Sequence, residues 1–261
     1  MQGGRASVLA YCRCSAKFSR TSKKREGIAK APGSVDLLCL PEMIFTGYAF
    51  ENASAILPFL EDPQTGVTSE FCASIAQRSR CHAVAGYPER LRPHEVTKRT
   101  NEDDGEVVDV VGANSAIVYG PDGARVGHYR KTQLFYMDKT WAKPGTGFAT
   151  FHLSPPLNTL DSEKEEDRDE DLSTMNYWAT LLRPPWYRKG DEPNDEGAEL
   201  KKAPEDVETV VVFCNRSGIE NGAKFAGSSS LFHLRQGAGK PSWWAGAVDL
   251  TVIVNCIKTM E

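Results

Sequence analysis

Three stretches of the chain carry residues whose types and placement could do chemistry: "LPEMIFTGYAF" (Leu40–Phe50), "GHYRKTQLFYMD" (Gly127–Asp138) and "NRSGIENGAKFAGSSSLF" (Asn215–Phe232). Glu42 closes a nearly continuous apolar run. A carboxyl group enclosed by apolar walls has its pKa raised and becomes a general base. Lys131 follows a strand-like run, where an ammonium group can supply positive charge to a developing oxyanion. Each has a plainer reading as well: a glutamate on a solvated rim, an Arg-Lys pair that is surface charge, and a polar turn entering a strand of small residues.

The elements that must hold these residues are legible around them. "VDLLCLPEM" (Val35–Met43) is short, apolar and ends in Pro-Glu, as a strand buried on both faces does. Val67, Phe71 and Ile75 recur every four residues, which predicts an amphipathic helix over Val67–Arg78. "CHAVAGYPE" is a second buried strand running out into Pro-Glu. Ala113–Lys131 reads as two strands joined by Gly-Pro-Asp-Gly, a hairpin. Further on, Leu172–Leu182 reads as a helix, "ETVVVFCNRSG" (Glu208–Gly218) as a strand and "VDLTVIVNC" as a last strand. Strands and helices in this order predict the α/β class.

At 261 residues the chain suits one large α/β domain, and a net charge of −4 gives no basic footprint for nucleic acid. No apolar run is long enough to span a bilayer. Seven scattered cysteines suit a reducing compartment, and neither they nor His82, His94, His128, His152 and His233 show metal-ligand spacing, so neither metal nor cofactor is expected. Residues 1–31 form a basic arm with no acid before Glu26. That arm is either surface (with a first strand, Arg5 to Cys12) or an organellar leader, so the expected compartment is the cytoplasm, with the mitochondrion as alternative.

Taken together and in order, "PGSVDLLCLPEMIFTGYAF", "VAGYPE", "ANSAIVYGPDGARVGHYRKTQLFYMDKTWAKPGTGF" and "NRSGIENGAKFAGSS" resemble the carbon–nitrogen hydrolase (nitrilase) superfamily, above all its protein N-terminal amidases. The resemblance covers residues 32–153 well and 172–232 in patches. It implies an α-β-β-α sandwich over 32–235, with 236–261 as a divergent tail. It also implies a Glu–Lys–Cys mechanism on N-terminal Asn or Gln side chains, with protein or peptide N-termini as substrate. By position, Glu42 matches the family's base and Lys131 its lysine.

The third member has no counterpart. Where the resemblance implies a cysteine after "GFATFHL", the chain reads "SPPLNTLDSEKEEDRDED", and no cysteine occurs between Cys81 and Cys214. Cys214, at a strand end, is expected to be structural, as is Cys39. Two more departures stand near Lys131. Gln133 replaces a histidine, and Lys139 takes the place of a second glutamate, where it would repel Lys131. The expected molecule is an incomplete sandwich with loops at 155–171 and 190–204. It is either an impaired amidase or a relative that only binds.

Overall fold

β-branched and small apolar residues bounded by Gly, Pro and Asp build strands, and here they stack into two five-stranded sheets. The computed structural model of the chain describes residues 8–10, 31–100, 105–147, 149–154, 157–162, 208–214, 217–220, 223–226, 230–235 and 250–255. In chain order come β1 (Val8–Ala10), β2 (Leu37–Cys39), α1 (Ala53–Ile56), α2 (Val67–Ser79) and β3 (His82–Arg90). A small hairpin, β4 (Thr97–Thr100) and β5 (Val107–Val110), precedes β6 (Gly112–Tyr119), β7 (Arg125–Arg130) and the one-turn helix α3 (Tyr136–Lys139). Then follow β8 (Thr150–His152), β9 (Leu157–Ser162), β10 (Glu208–Phe213), β11 (Ser217–Glu220), β12 (Ala223–Ala226), β13 (Ser230–Arg235) and β14 (Leu250–Asn255).

The first sheet runs β1-β2-β3-β6-β7. Its β1–β2 and β2–β3 pairs are parallel, and its β3–β6 and β6–β7 pairs antiparallel. The second sheet runs β13-β10-β14-β9-β8, with β14 parallel to both of its neighbours. Side chains alternate across the strands, so each face of the first sheet finds a different partner. Leu38, Ala83, Ala85 and Ile117 pack under Phe71, Cys72, Ile75 and Ala76 of α2. Leu37, Cys39, Val84 and Val118 meet Leu153, Leu157, Val212 and Cys214 of the second sheet. Helix, sheet and sheet are thus three layers of the expected four, and the chain is α/β with a sandwich core. Residues 172–182, where the next helix is expected, lie outside the described residues, as does the stretch 190–204.

Helix α2 forms where the four-residue repeat predicts it, and burying Phe71 and Ile75 contributes about 1.5–3 kcal/mol each. Its N-cap, Gly66, has no side chain to offer. Glu61 takes over that task from outside the helix: its Oε2 accepts from the Thr68 N–H at 2.7 Å and its Oε1 from the Thr68 hydroxyl at 3.2 Å. A carboxylate there satisfies an orphan donor and faces the positive end of the helix.

One expectation needs correction. The stretch from Pro155 to Asp171 is not loop throughout, because Leu157–Ser162 is β9, paired antiparallel with β8 and parallel with β14. Partners on both sides satisfy its backbone groups, and Leu157 is fully buried between the sheets. Pairing therefore overrides the local polarity that suggests a loop.

Candidate active site

Glu42 stands three residues beyond β2, in a turn that the backbone bends sharply. Met43, next in the chain, has a φ of 49°, and a non-glycine residue in the left-handed region is strained. The neighbouring strand fits against this turn only because residue 86 is glycine. A Cβ there would lie 2.6 Å from the Cα of Glu42 and 3.1 Å from the Met43 nitrogen. The Ile44 N–H, in turn, donates to the Gly86 carbonyl at 3.3 Å. Sequence, turn and strand contact together aim Glu42 at the end of the sheet.

Lys131 arrives from β7 at the same end. Its N–H donates to the Asn114 carbonyl at 2.8 Å, and its own carbonyl accepts from Gly145 at 2.8 Å. The ammonium sits between two carboxylates, 3.1 Å from Glu42 Oε1 and 3.0 Å from Asp138 Oδ2. Asn114 ties the two acids together: its Nδ2 donates to Glu42 Oε1 and, at 3.0 Å, to Asp138 Oδ1. Asp138 also accepts from the Phe135 N–H at 3.1 Å, which fixes it within α3. Glu42 is 2% exposed and Asp138 1%, so both carboxyl groups are out of bulk water.

Burial pushes the Glu42 carboxyl above its ordinary pKa; the Lys131 ammonium opposes this and the Asp138 charge adds to it. For Lys131, burial disfavours the ammonium, but Asp138 and Glu42 outweigh it and hold the group well above the usual lysine range. The result is a permanently charged ammonium beside a carboxyl that takes up a proton more readily than a solvated one. That pairing suits a general base and an oxyanion partner. Tyr48 closes one side, 2% exposed, with the Lys131 nitrogen 5.9 Å from its ring centre.

Asp138 corrects the sequence reading. The second carboxylate comes seven residues after Lys131, not eight, and it pairs with the ammonium at 3.0 Å. The single turn of α3 brings residue 138 inward, while the Lys139 carbonyl accepts from Arg99 at 2.7 Å. Gln133 is exposed. Asn114 and Gly86 are the other site residues that motif reading passes over, although both lie inside the strands that carry the motifs.

Cys214 is not placed as a replacement thiol. It is fully buried in the apolar layer between the sheets, with its Sγ 3.4 Å from the Cys39 carbonyl oxygen as donor. Cys39, Cys72 and Cys81 are buried too, and the Cys72 and Cys81 thiols are pushed up mainly by that burial, Cys81 to about 11. A thiol held protonated is a poor nucleophile. A cleft of about 940 Å³ opens elsewhere, along Arg92, Glu95, Arg125, Arg130 and Lys143, and neither Glu42, Lys131 nor Asp138 lines it. The carboxylate–lysine cluster has the arrangement chemistry requires, so we place the site there.

Residues 10–170 match the sequence profile of the carbon-nitrogen hydrolases, which is more than half of the chain. This chain belongs to the carbon-nitrogen hydrolase family. Among its relatives, a protein N-terminal amidase of Schizosaccharomyces pombe is 27% identical over 80% of this chain and 82% of its own length. A protein N-terminal amidase of Saccharomyces cerevisiae is 30% identical over 52% of this chain, yet this chain spans only 27% of that protein's length. In fold, the chain is similar to a carbon-nitrogen hydrolase superfamily protein of Xanthomonas campestris, crystallised with an arsenic adduct in its active site. That likeness has a TM-score of 0.56 at 18% identity and covers 95% of this chain and 87% of the other.

Proposed function

We propose that this chain follows the plan of a protein N-terminal amidase: it engages protein or peptide N-termini bearing asparagine or glutamine and keeps the base and lysine of amide cleavage, while the thiol step is missing. The observation that carries this reading is the Lys131 ammonium held at 3.1 Å and 3.0 Å between Glu42 and Asp138. In the complete reaction a thiolate attacks the side-chain amide, the oxyanion forms against the lysine, ammonia leaves, and water resolves the thioester. In that reaction the base, here Glu42, takes the thiol proton and returns it to the leaving ammonia. No cysteine lies between Cys81 and Cys214 to begin the sequence. Loss of a covalent nucleophile costs on the order of 10⁶ in kcat, so the base and lysine alone do not sustain turnover.

The test pairs two measurements on the full chain. Ammonia release from Asn- and Gln-initiated peptides should stay at background. Fluorescence anisotropy with labelled peptides should show binding that falls when the first residue is Asp or Glu. Turnover well above background would overturn the reading of the missing thiol. Its loss in Cys214→Ala would then assign the nucleophile to Cys214. Failure to bind any Asn- or Gln-initiated peptide would overturn the N-terminal reading.

A further inference from the structure

The hairpin of β11 and β12 delivers a carboxylate to the site from 172 residues further along the chain. Glu220 Oε1 accepts from the Tyr48 N–H at 2.6 Å and from the Ala49 N–H at 2.9 Å. The residue before them, Gly47, has a φ of +85°, and a Cβ there would lie 2.5 Å from the same Oε1 and 3.0 Å from the Glu220 carboxyl carbon. Three successive residues are therefore shaped around one carboxylate: Gly47 by the space it leaves, Tyr48 and Ala49 by their donors. Successive N–H groups beside a left-handed residue make an anion-binding concavity, and hydrogen bonds to an ionised acceptor are about twice as strong as neutral ones. In this chain the anion that fills the concavity is its own side chain.

What hangs on that anchor is the ring of Tyr48, whose centre lies 5.9 Å from the Lys131 nitrogen. We propose that Glu220 is a positioning residue of the site: its carboxylate fixes the Gly47–Ala49 backbone and thereby holds Tyr48 against the Lys131 ammonium. The role assigned to that ammonium rests on the reading above; the placement of Tyr48 by Glu220 does not. Glu220 touches no reacting atom. It acts by keeping water from the Lys131–Glu42 pair and by joining the second half of the chain to the end of the first sheet.

The test measures the accessibility of Lys131 and needs no turnover. The folded chain is exposed to a brief burst of hydroxyl radicals, which oxidise side-chain carbons whether or not the amine is charged, and modification at each lysine is read by mass spectrometry. Lys98, whose side chain is 74% exposed, serves as the internal reference. In Glu220→Ala the Lys131-to-Lys98 ratio should rise about tenfold as the ring contact and its shielding are lost. Glu220→Gln keeps an oxygen acceptor for both N–H groups and should stay within about twofold of the parent. If Glu220→Ala does not fold, Gly47→Ala gives a second route, because its methyl group displaces the carboxylate and should raise the ratio similarly. Tyr48→Ala should give the same rise, and adding Glu220→Ala to it should add nothing. An unchanged ratio in a folded Glu220→Ala or Gly47→Ala chain would overturn the proposal, as would equal rises in Glu220→Ala and Glu220→Gln.

Discussion

Arg130 and Lys131 are neighbours in the chain, and each is gripped by two carboxylates, yet their surroundings differ. Arg130 forks onto Glu89 through Nε at 3.0 Å and NH2 at 2.7 Å, and onto Glu95 through NH1 at 2.7 Å. Glu89 is buried, but Glu95 is partly exposed, its side chain 16% open to solvent, and is shared with Lys143, so that end of the cluster works as an ordinary ion-pair network. Hydrogen bonds from Arg130 hold the Glu95 carboxyl down at about 2. Around Lys131 both carboxyl groups are buried, and Glu42 moves the opposite way, upward. Both clusters are formed by lysine or arginine between acids. Whether an acid stays ionised or readily takes a proton is decided by which term wins, hydrogen bonding to the charged form or loss of water.

Asp138→Ala should break the Lys131 cluster most severely. Removing one member of a buried, hydrogen-bonded ion pair costs about 3–5 kcal/mol, and the lower end applies because Glu42 remains beside Lys131. Glu95→Ala should cost at most about 1 kcal/mol, as partly solvated pairs do. Denaturant unfolding of the two variants reads the difference, and equal losses would erase the contrast.

Gly86→Ala comes next. Its methyl group would press on the Glu42 backbone, which cannot yield as a flexible side-chain end could, so about 1–3 kcal/mol of overpacking is expected in the same assay.

Acid titration separates the clusters by sign. Glu95 is depressed in the folded chain, so its contribution is present above the unfolded value of 4.5 and is lost as pH falls toward about 2. Glu42 is raised, so its contribution is full below its unfolded value of 4.5 and fades as pH rises through its higher folded value. Unfolding free energies of the parent, Glu95→Gln and Glu42→Gln across this range should therefore diverge in opposite directions. Two differences of the same sign would break the comparison.

The smallest effect belongs to the exposed pair Lys98–Asp109 at 3.4 Å. Lys98→Ala should shift stability by no more than about 0.5 kcal/mol, which sets the baseline against which both clusters are judged.

Local pattern made much of the framework readable. The repeat Val67, Phe71, Ile75 marks α2, and Gly-Pro-Asp-Gly marks the turn between β6 and β7, because those signals lie within a few residues of what they specify. Glu42 and Lys131 could be read from motifs on intact strands. Asp138 escaped because counting along a sequence cannot tell where a one-turn helix starts, and a shift of one residue turns a carboxylate inward in place of a lysine. Glu220 escaped for a different reason: its partners, Tyr48 and Ala49, are in another part of the chain. β9 was hidden because Asp161, the acidic run that follows the strand and the prolines before it describe a loop, and only strands β8 and β14 make it otherwise.

The position of β14 bears on how the molecule comes into being. It lies between β9 and β10, yet Leu250–Asn255 follows both in the chain. A ribosome adding about 5–20 residues per second therefore finishes β9 and β10 while the slot between them is still empty. For several seconds β8–β9 and β10–β13 are two ribbons, each with an open edge, and open edges invite pairing with other chains. Closing the slot requires two parallel pairings between strands far apart in sequence, the slow kind of step. Production of this protein in quantity should thus depend less on its final stability than on how those two edges are kept apart from their neighbours until the last strand arrives.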